Sequence, residues 1–370
     1  MSIKSSFIAG HVFPGVPLAI LSAVLFGATA PLSKILLSTV EPQLLAGLLY
    51  LGAGIGLSIV VLLRGIVCLP GTEAPLRRTD VPLLAVIVLF GGILGPVLLM
   101  LGLSHTNAAS GSLLLNLEAL ATMGIAWLLY KENVDRRLLL GALAILLGAA
   151  VLSWQGHGFS LDTGAVLIAL ACLAWGIDNN LTRKLSGSDP VQIALLKGLA
   201  AGTVNVAIAL ARGAALPDVS TAGAAALVGF LGVGASLVLF VLALRHLGTA
   251  RTGAYFSLAP FIGALVAVMV LHESVTVQLL MAGALMAAGL WLHLTENHTH
   301  THIHETLEHE HSHVHDDHHQ HSHAGLAHDG PVSEPHTHWH KHEPMRHAHA
   351  HYPDLHHRHG HENSHEHGHD

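Results

Sequence analysis

Glu118 lies near the middle of a long apolar run. An ionised carboxylate without a partner costs at least about 2–3 kcal/mol at such a depth in lipid. It must therefore face water, hold a proton or meet a cation. So placed, it can bind a cationic group of a solute or exchange a proton; the structural alternative is a protonated side chain that hydrogen-bonds between helices. Asn116 is two residues away, about 200° around a helix, so only one of the two can look directly into a passage. Further along, Trp175, Asp178, Asn179 and Thr182 recur at i, i+3, i+4 and i+7. That spacing aligns an aromatic ring, a carboxylate, an amide and a hydroxyl on one helical stripe. Lys197, in the next apolar run, is a candidate partner for Asp178, with snorkelling to the interface as the competing reading. Tyr255 completes this set of polar candidates.

A second chemistry belongs to the C-terminal region, which holds most of the 33 histidines of the chain. His300, His302, His304, His309, His311, His313, His315, His318, His319, His321 and His323 alternate with Glu, Asp and small polar residues. Neutral imidazoles and carboxylates suit Zn, Ni, Co or Cu. The composition predicts a disordered tail that binds such ions, with no cofactor required elsewhere. The two cysteines, Cys68 and Cys172, form neither a CxxC pair nor a disulfide framework.

The elements that must position the first set are membrane helices. Of the 370 residues 51% are hydrophobic and 11% charged, against roughly 25% charged in a soluble domain. Apolar runs fall near 17–37, 43–63, 82–101, 108–130 and 137–154, then near 163–183, 191–211, 223–244, 251–271 and 277–295. They are too long for barrel strands and lack a two-residue alternation. With the N-terminus inside, the internal loops carry Arg64, Arg77, Arg78, Lys131, Arg136, Arg137, Arg183, Lys184, Arg245 and Arg251, while the external loops carry essentially Arg212. The excess predicts that both termini are cytoplasmic.

The two halves repeat in order. Ser104-His105 matches Arg245-His246, Leu129-Tyr130-Lys131-Glu132 matches Val270-Leu271-His272-Glu273, and Gly141-Ala142-Leu143 recurs as Gly283-Ala284-Leu285. Phe26-Gly27 and Lys34 likewise match Trp175-Gly176 and Arg183. Five helices per half is an odd number, so the second half enters the membrane from the opposite side. The expected organisation is an N-terminal segment 1–16, repeats at 17–155 and 160–295, and a tail at 296–370. The expected fold class is an all-α polytopic membrane protein of ten helices in two inverted five-helix repeats.

These features resemble the EamA-domain members of the drug/metabolite transporter superfamily over about residues 17–295. The resemblance rests on Glu132 and Glu273 ending the fourth and ninth helices, the Gly-Ala-rich helices after them, and the aromatic-Gly plus distal basic pattern of the first and sixth. It implies a cytoplasmic-membrane carrier, commonly an exporter of small organic metabolites. One departure stands out: family members commonly carry a proline midway along both the fourth and ninth helices, whereas here Pro260 is matched by Leu115-Asn116-Leu117-Glu118-Ala119.

Charges without a counterpart in the other half, Glu118, Asp178 and Lys197, read as solute chemistry, and those with one, Lys34 and Arg183, as scaffold. Pro31, Pro96 and Pro260, with Gly91, Gly92, Gly95, Gly232 and Gly234, are candidate hinges. Expected partners are the lipid bilayer, a small-molecule substrate, metal ions at the tail and, as the oligomer allowed for, a second copy. No basic footprint for nucleic acid exists. Nucleophile-elbow, phosphate-loop and H-E-x-x-H motifs are absent from the sequence, which argues against an enzyme. Rival readings are a transition-metal carrier and a metal-responsive membrane sensor or scaffold.

Overall fold

The computed structural model describes residues 15–66, 76–130, 136–154, 162–185, 188–247 and 249–294, together with four short stretches of the tail. Among these residues ten helices are long and apolar enough to cross a membrane. In chain order they are α1 Gly15–Leu36, α2 Pro42–Leu63, α3 Arg78–His105, α4 Ala108–Leu129, α5 Arg136–Ser153, α6 Thr163–Leu185, α7 Pro190–Ala211, α8 Val219–Ala243, α9 Arg251–Leu271 and α10 Val277–Leu294. Each coincides with its predicted run to within a residue at most ends, while α3 extends beyond its run at both ends and α8 begins four residues earlier than expected. Lys131, Glu132 and Cys68 lie outside the described residues, as do His304, His315, His318, His319, His321 and His323.

Large side chains on the outside of the bundle, among them Leu62, Leu128, Leu129, Met269 and Leu280, are exposed. A contiguous apolar surface of this kind suits hydrocarbon. Inside, α2 packs on α7 and α5 on α10, while α3 and α4 pack on α6, and α8 and α9 pack on α1. This pairing is unchanged when the first five helices are exchanged for the last five. Glycines line both the α2–α7 and the α5–α10 crossings: a Cβ on Gly198 would meet the Gly54 backbone, and one on Gly141 the Gly289 carbonyl. Close backbone approach of this sort holds helices together where water exclusion cannot.

Four helices are irregular, in two matching pairs. A π-helical segment occupies Val88–Leu94 of α3 and another Phe230–Ala235 of α8, at the glycines singled out as hinges. The fourth helix is interrupted between Leu114 and Leu117, and the ninth between Phe256 and Ala259. Pro260, which lacks an N–H, accounts for the second break. In α4 the missing proline is replaced by local bonding: the Asn116 amide donates to the Leu113 carbonyl at 2.8 Å, and the Asn116 N–H bonds the same carbonyl at 3.1 Å. Pro31, by contrast, leaves α1 continuous to Leu36.

Among the described residues of the tail, β1 Thr299–Ile303 pairs antiparallel with β4 Arg346–Ala350, and β2 Leu307–His313 with β3 His336–His342. The His-X-His-X period of two matches the alternation of side chains along a strand.

Candidate functional site

The α6 stripe is real, but its residues diverge to different neighbours. Trp175 and Asp178 meet the π-helical segment of α3. There the widened turn offers carbonyls that an α-helix would hold within its own ladder. The Gly91 carbonyl accepts from the Tyr50 hydroxyl at 2.8 Å and from Trp175 Nε1 at 3.0 Å, and Asn205 Nδ2 reaches the Gly92 carbonyl at 3.3 Å. Gly91 must lack a side chain, because a Cβ there would enter both Asp178 and the Lys197 ammonium.

Asp178 and Lys197 form a direct ion pair, with the Thr182 hydroxyl donating to the second carboxylate oxygen at 3.1 Å. Their side chains are 6% and 18% exposed, respectively, too dry to count as a surface pair. Removing one partner from such a pair strands the other charge at low dielectric.

Asn179 and Asn180 turn the other way, toward α4. The Asn179 amide donates to Glu118 Oε1 at 2.9 Å and to the Thr122 hydroxyl at 3.2 Å, and the Asn180 amide to the Thr122 carbonyl at 2.9 Å. Asn179 is exposed and Glu118 half-buried, so this carboxylate sits at the accessible edge of the cluster. Glu118, Trp175, Asp178, Asn179 and Lys197 thus come together. Asn116 is buried at the α4 break, beside Met286, and half-buried Tyr255 has no described hydrogen bond to the cluster.

Tyr50, Thr122, Asn205 and the Gly91 carbonyl were not foreseen. Tyr50 carried a signal, as a hydroxyl deep in an apolar run, but a backbone acceptor released by a π-helix carries none in side-chain types. Only the Gly91-Gly92 pair four residues before Pro96 marks the place.

At one end of the bundle a second constellation grips the α3–α4 turn. The Lys34 ammonium donates to the carbonyls of Leu103 and Thr106 at 2.5 and 2.8 Å, closing the C-terminus of α3. The Glu273 carboxylate accepts from the Ala108 and Ala109 N–H groups at 2.7 and 2.8 Å, capping the N-terminus of α4. Cations suit helix C-termini and anions N-termini. His272 takes a left-handed conformation at φ 54°, which turns the chain out of α9 just before Glu273. A non-glycine residue held there costs about 1–2 kcal/mol.

A cavity of about 960 Å³ lies among α4, α5, α6 and α10, lined chiefly by apolar side chains such as Leu117, Leu147, Leu173 and Met281. None of the cluster residues lines it. Among residues whose side chains are described, no three His, Cys, Asp or Glu gather as a metal site.

The profile of the EamA-like transporter family matches twice, over residues 13–154 and 162–295. An uncharacterized transporter of Methanothermobacter thermautotrophicus is 29% identical over 288 residues, covering 74% of this chain and 84% of its own. The uncharacterized transporter YyaM of Bacillus subtilis is 22% identical over 72% of this chain and 91% of its own. A crystal structure 20% identical in sequence shares the fold with a TM-score of 0.57, over 75% of this chain and 95% of the other.

Proposed function

The chain belongs to the EamA-like transporter family, and from that premise we propose that it is a secondary carrier exporting a small, charged organic metabolite across the cytoplasmic membrane by alternating access. The observation that carries the reading is the dry Asp178–Lys197 pair seated on Gly91, within α3, α6 and α7 and flanked by Trp175, Tyr50 and Glu118. In the empty carrier each charge satisfies the other. A solute carboxylate competes for the Lys197 ammonium and a solute cationic group for Asp178 or Glu118, so that binding exchanges one neutral set for another without exposing a bare charge to the apolar interior. Trp175 supplies a flat apolar wall beside these charges.

Orientation follows from the loop charges, with both termini cytoplasmic and the Lys34 end external. In that frame the two five-helix units are inverted, and the repeat pairs Lys34 with Arg183, Glu273 with Glu132, and the α3–α4 turn with the α8–α9 turn. The clasp formed by Lys34 and Glu273 closes the external end, and the sequence repeat matches these two residues to Arg183 and Glu132 as candidates for the corresponding role at the internal end. Alternation consists of making one clasp while releasing the other, with the π-helical segments and the α4 and α9 breaks as the joints.

The test is flux from proteoliposomes and from overexpressing cells profiled for released solutes. A solute whose release requires the chain should lose transport in Asp178→Asn and in Lys197→Met, while the conservative Leu265→Ile on the exposed face of α9 transports normally. Normal flux in both charge variants would refute the assignment of this cluster.

A further inference from the structure

The register of the tail strands sets histidine against histidine. In β2/β3, His309 stands opposite His340, His311 opposite His338 and His313 opposite His336; in β1/β4, His300 stands opposite His349 and His302 opposite His347. All five rungs are histidine on both strands. Because successive residues alternate between faces, the rungs of each ribbon share one face, and Glu308, Lys341, Glu310 and Trp339 occupy the other face of β2/β3. A shift of the register by one residue would place histidines against Glu, Lys or Trp and leave no rung intact.

Directly opposed residues lie about 4.5–5.5 Å apart, and same-face neighbours along a strand about 6.5–7 Å apart. Imidazole nitrogens bind zinc at about 2.0–2.1 Å, a reach that lets two opposed histidines, or four on adjacent rungs, meet a single ion. Borderline divalent transition metals are the class that takes imidazole without thiolate.

We propose that the two ribbons are transition-metal sites built from cross-strand histidine rungs, with His309, His311, His338 and His340 as one four-imidazole set and His300, His302, His347 and His349 as the other. Half of each set comes from a strand more than 20 residues distant in sequence, so the metal fastens the tail into a nested double hairpin and folding of the ribbon accompanies binding. Site identity, in this view, depends on pairing and not on the number of histidines.

The test uses the full-length protein in detergent, titrated calorimetrically with Zn²⁺ alone and with Ni²⁺ alone. His309→Ala and His340→Ala, members of one rung, should each weaken the tight phase at least about tenfold, since even loss of a partner outside the ligand shell costs 10–100-fold. The double variant should be little worse than either single one, because both remove the same rung. His342→Ala, a tail histidine that stands opposite Leu307 and belongs to no histidine rung, should leave the tight phase in place. Equal losses from all of these variants, or additive losses within the rung, would show binding by composition and overturn the proposal. The result is independent of transport: solute flux that survives with the rungs removed leaves the carrier reading standing, and loss of flux at Asp178 leaves the rungs standing.

Discussion

The charges at mid-bundle and those at the Thr106 end solve the same problem in opposite ways. Asp178 and Lys197 neutralise each other, side chain to side chain, whereas Lys34 and Glu273 neutralise helix ends through backbone carbonyls and N–H groups. Aligning Phe26-Gly27 with Trp175-Gly176 puts Thr29 where Asp178 stands, and aligning His105 with His246 puts Ala259 where Glu118 stands. The mid-bundle charges therefore belong to one half each, while the end charges recur in both. Backbone is present in every conformation and in both repeats, so a clasp made on it can be duplicated. A side-chain pair at the centre serves one occupant and has no reason to be repeated.

The largest effect should come from breaking the central pair. Asp178→Asn or Lys197→Met leaves one buried charge alone and should lower unfolding stability in detergent by about 3–5 kcal/mol. The double variant Asp178→Asn with Lys197→Met should recover most of that stability, yet transport nothing. Single variants as stable as the parent would erase the contrast between the two regions, since the pair would then be no drier than the clasp.

Gly91→Ala is a finer probe of the same place. Its Cβ would push into both members of the pair, and overpacking of this kind costs about 1–3 kcal/mol. Flux should fall sharply, while Gly124→Ala, whose Cβ has open space around it, should leave flux unchanged. Equal effects at the two glycines would mean that α3 yields freely and that the π-helical segment does not position the pair.

At the clasp, Lys34→Met and Glu273→Gln remove charge-assisted bonds from a half-buried turn, with an expected effect of about 1–3 kcal/mol on the balance between end-states. Spin labels at residues 38 and 274 should report a longer distance in these variants, and Arg183→Met or Glu132→Gln should shift it the other way. Movement in the same direction for all four would show that the two ends are not opposed gates.

Much of this was legible in the residues. Ten spans, the repeat, the α6 stripe and the Asp178–Lys197 pairing follow from apolar length and side-chain spacing, because those are properties a helix preserves; the Asn179 bond that brings Glu118 to them does not. Lys34 reads as scaffold from its counterpart Arg183, and its two carbonyl partners at the α3–α4 turn are not visible in that match. The Gly91 carbonyl, the Tyr50 hydroxyl that seeks it and the α4 break at Asn116 were hidden, since each depends on a backbone departure that side-chain type does not encode.

A third carboxylate separates capping from clasping. Asp218, fully exposed at the start of α8, accepts from the Thr221 N–H at 3.1 Å and the Thr221 hydroxyl at 2.6 Å, with Ser220 donating as well. These bonds favour the ionised form and hold its carboxyl well below the usual carboxylate range. A depressed folded value means that the cap contributes fully above the unfolded carboxylate pKa, about 3.9, and fades only as pH falls through the lower folded value. Hydrogen exchange at residues 219–222 should therefore be protected equally, after correction for intrinsic rates, from neutral pH down to about pH 4.5. Asp218→Ala should lose that protection locally, with flux unaltered, because this cap binds only its own helix. A flux defect as large as that of Glu273→Gln would show that capping any helix in the bundle governs transport, and the special standing of the Thr106 end would be lost.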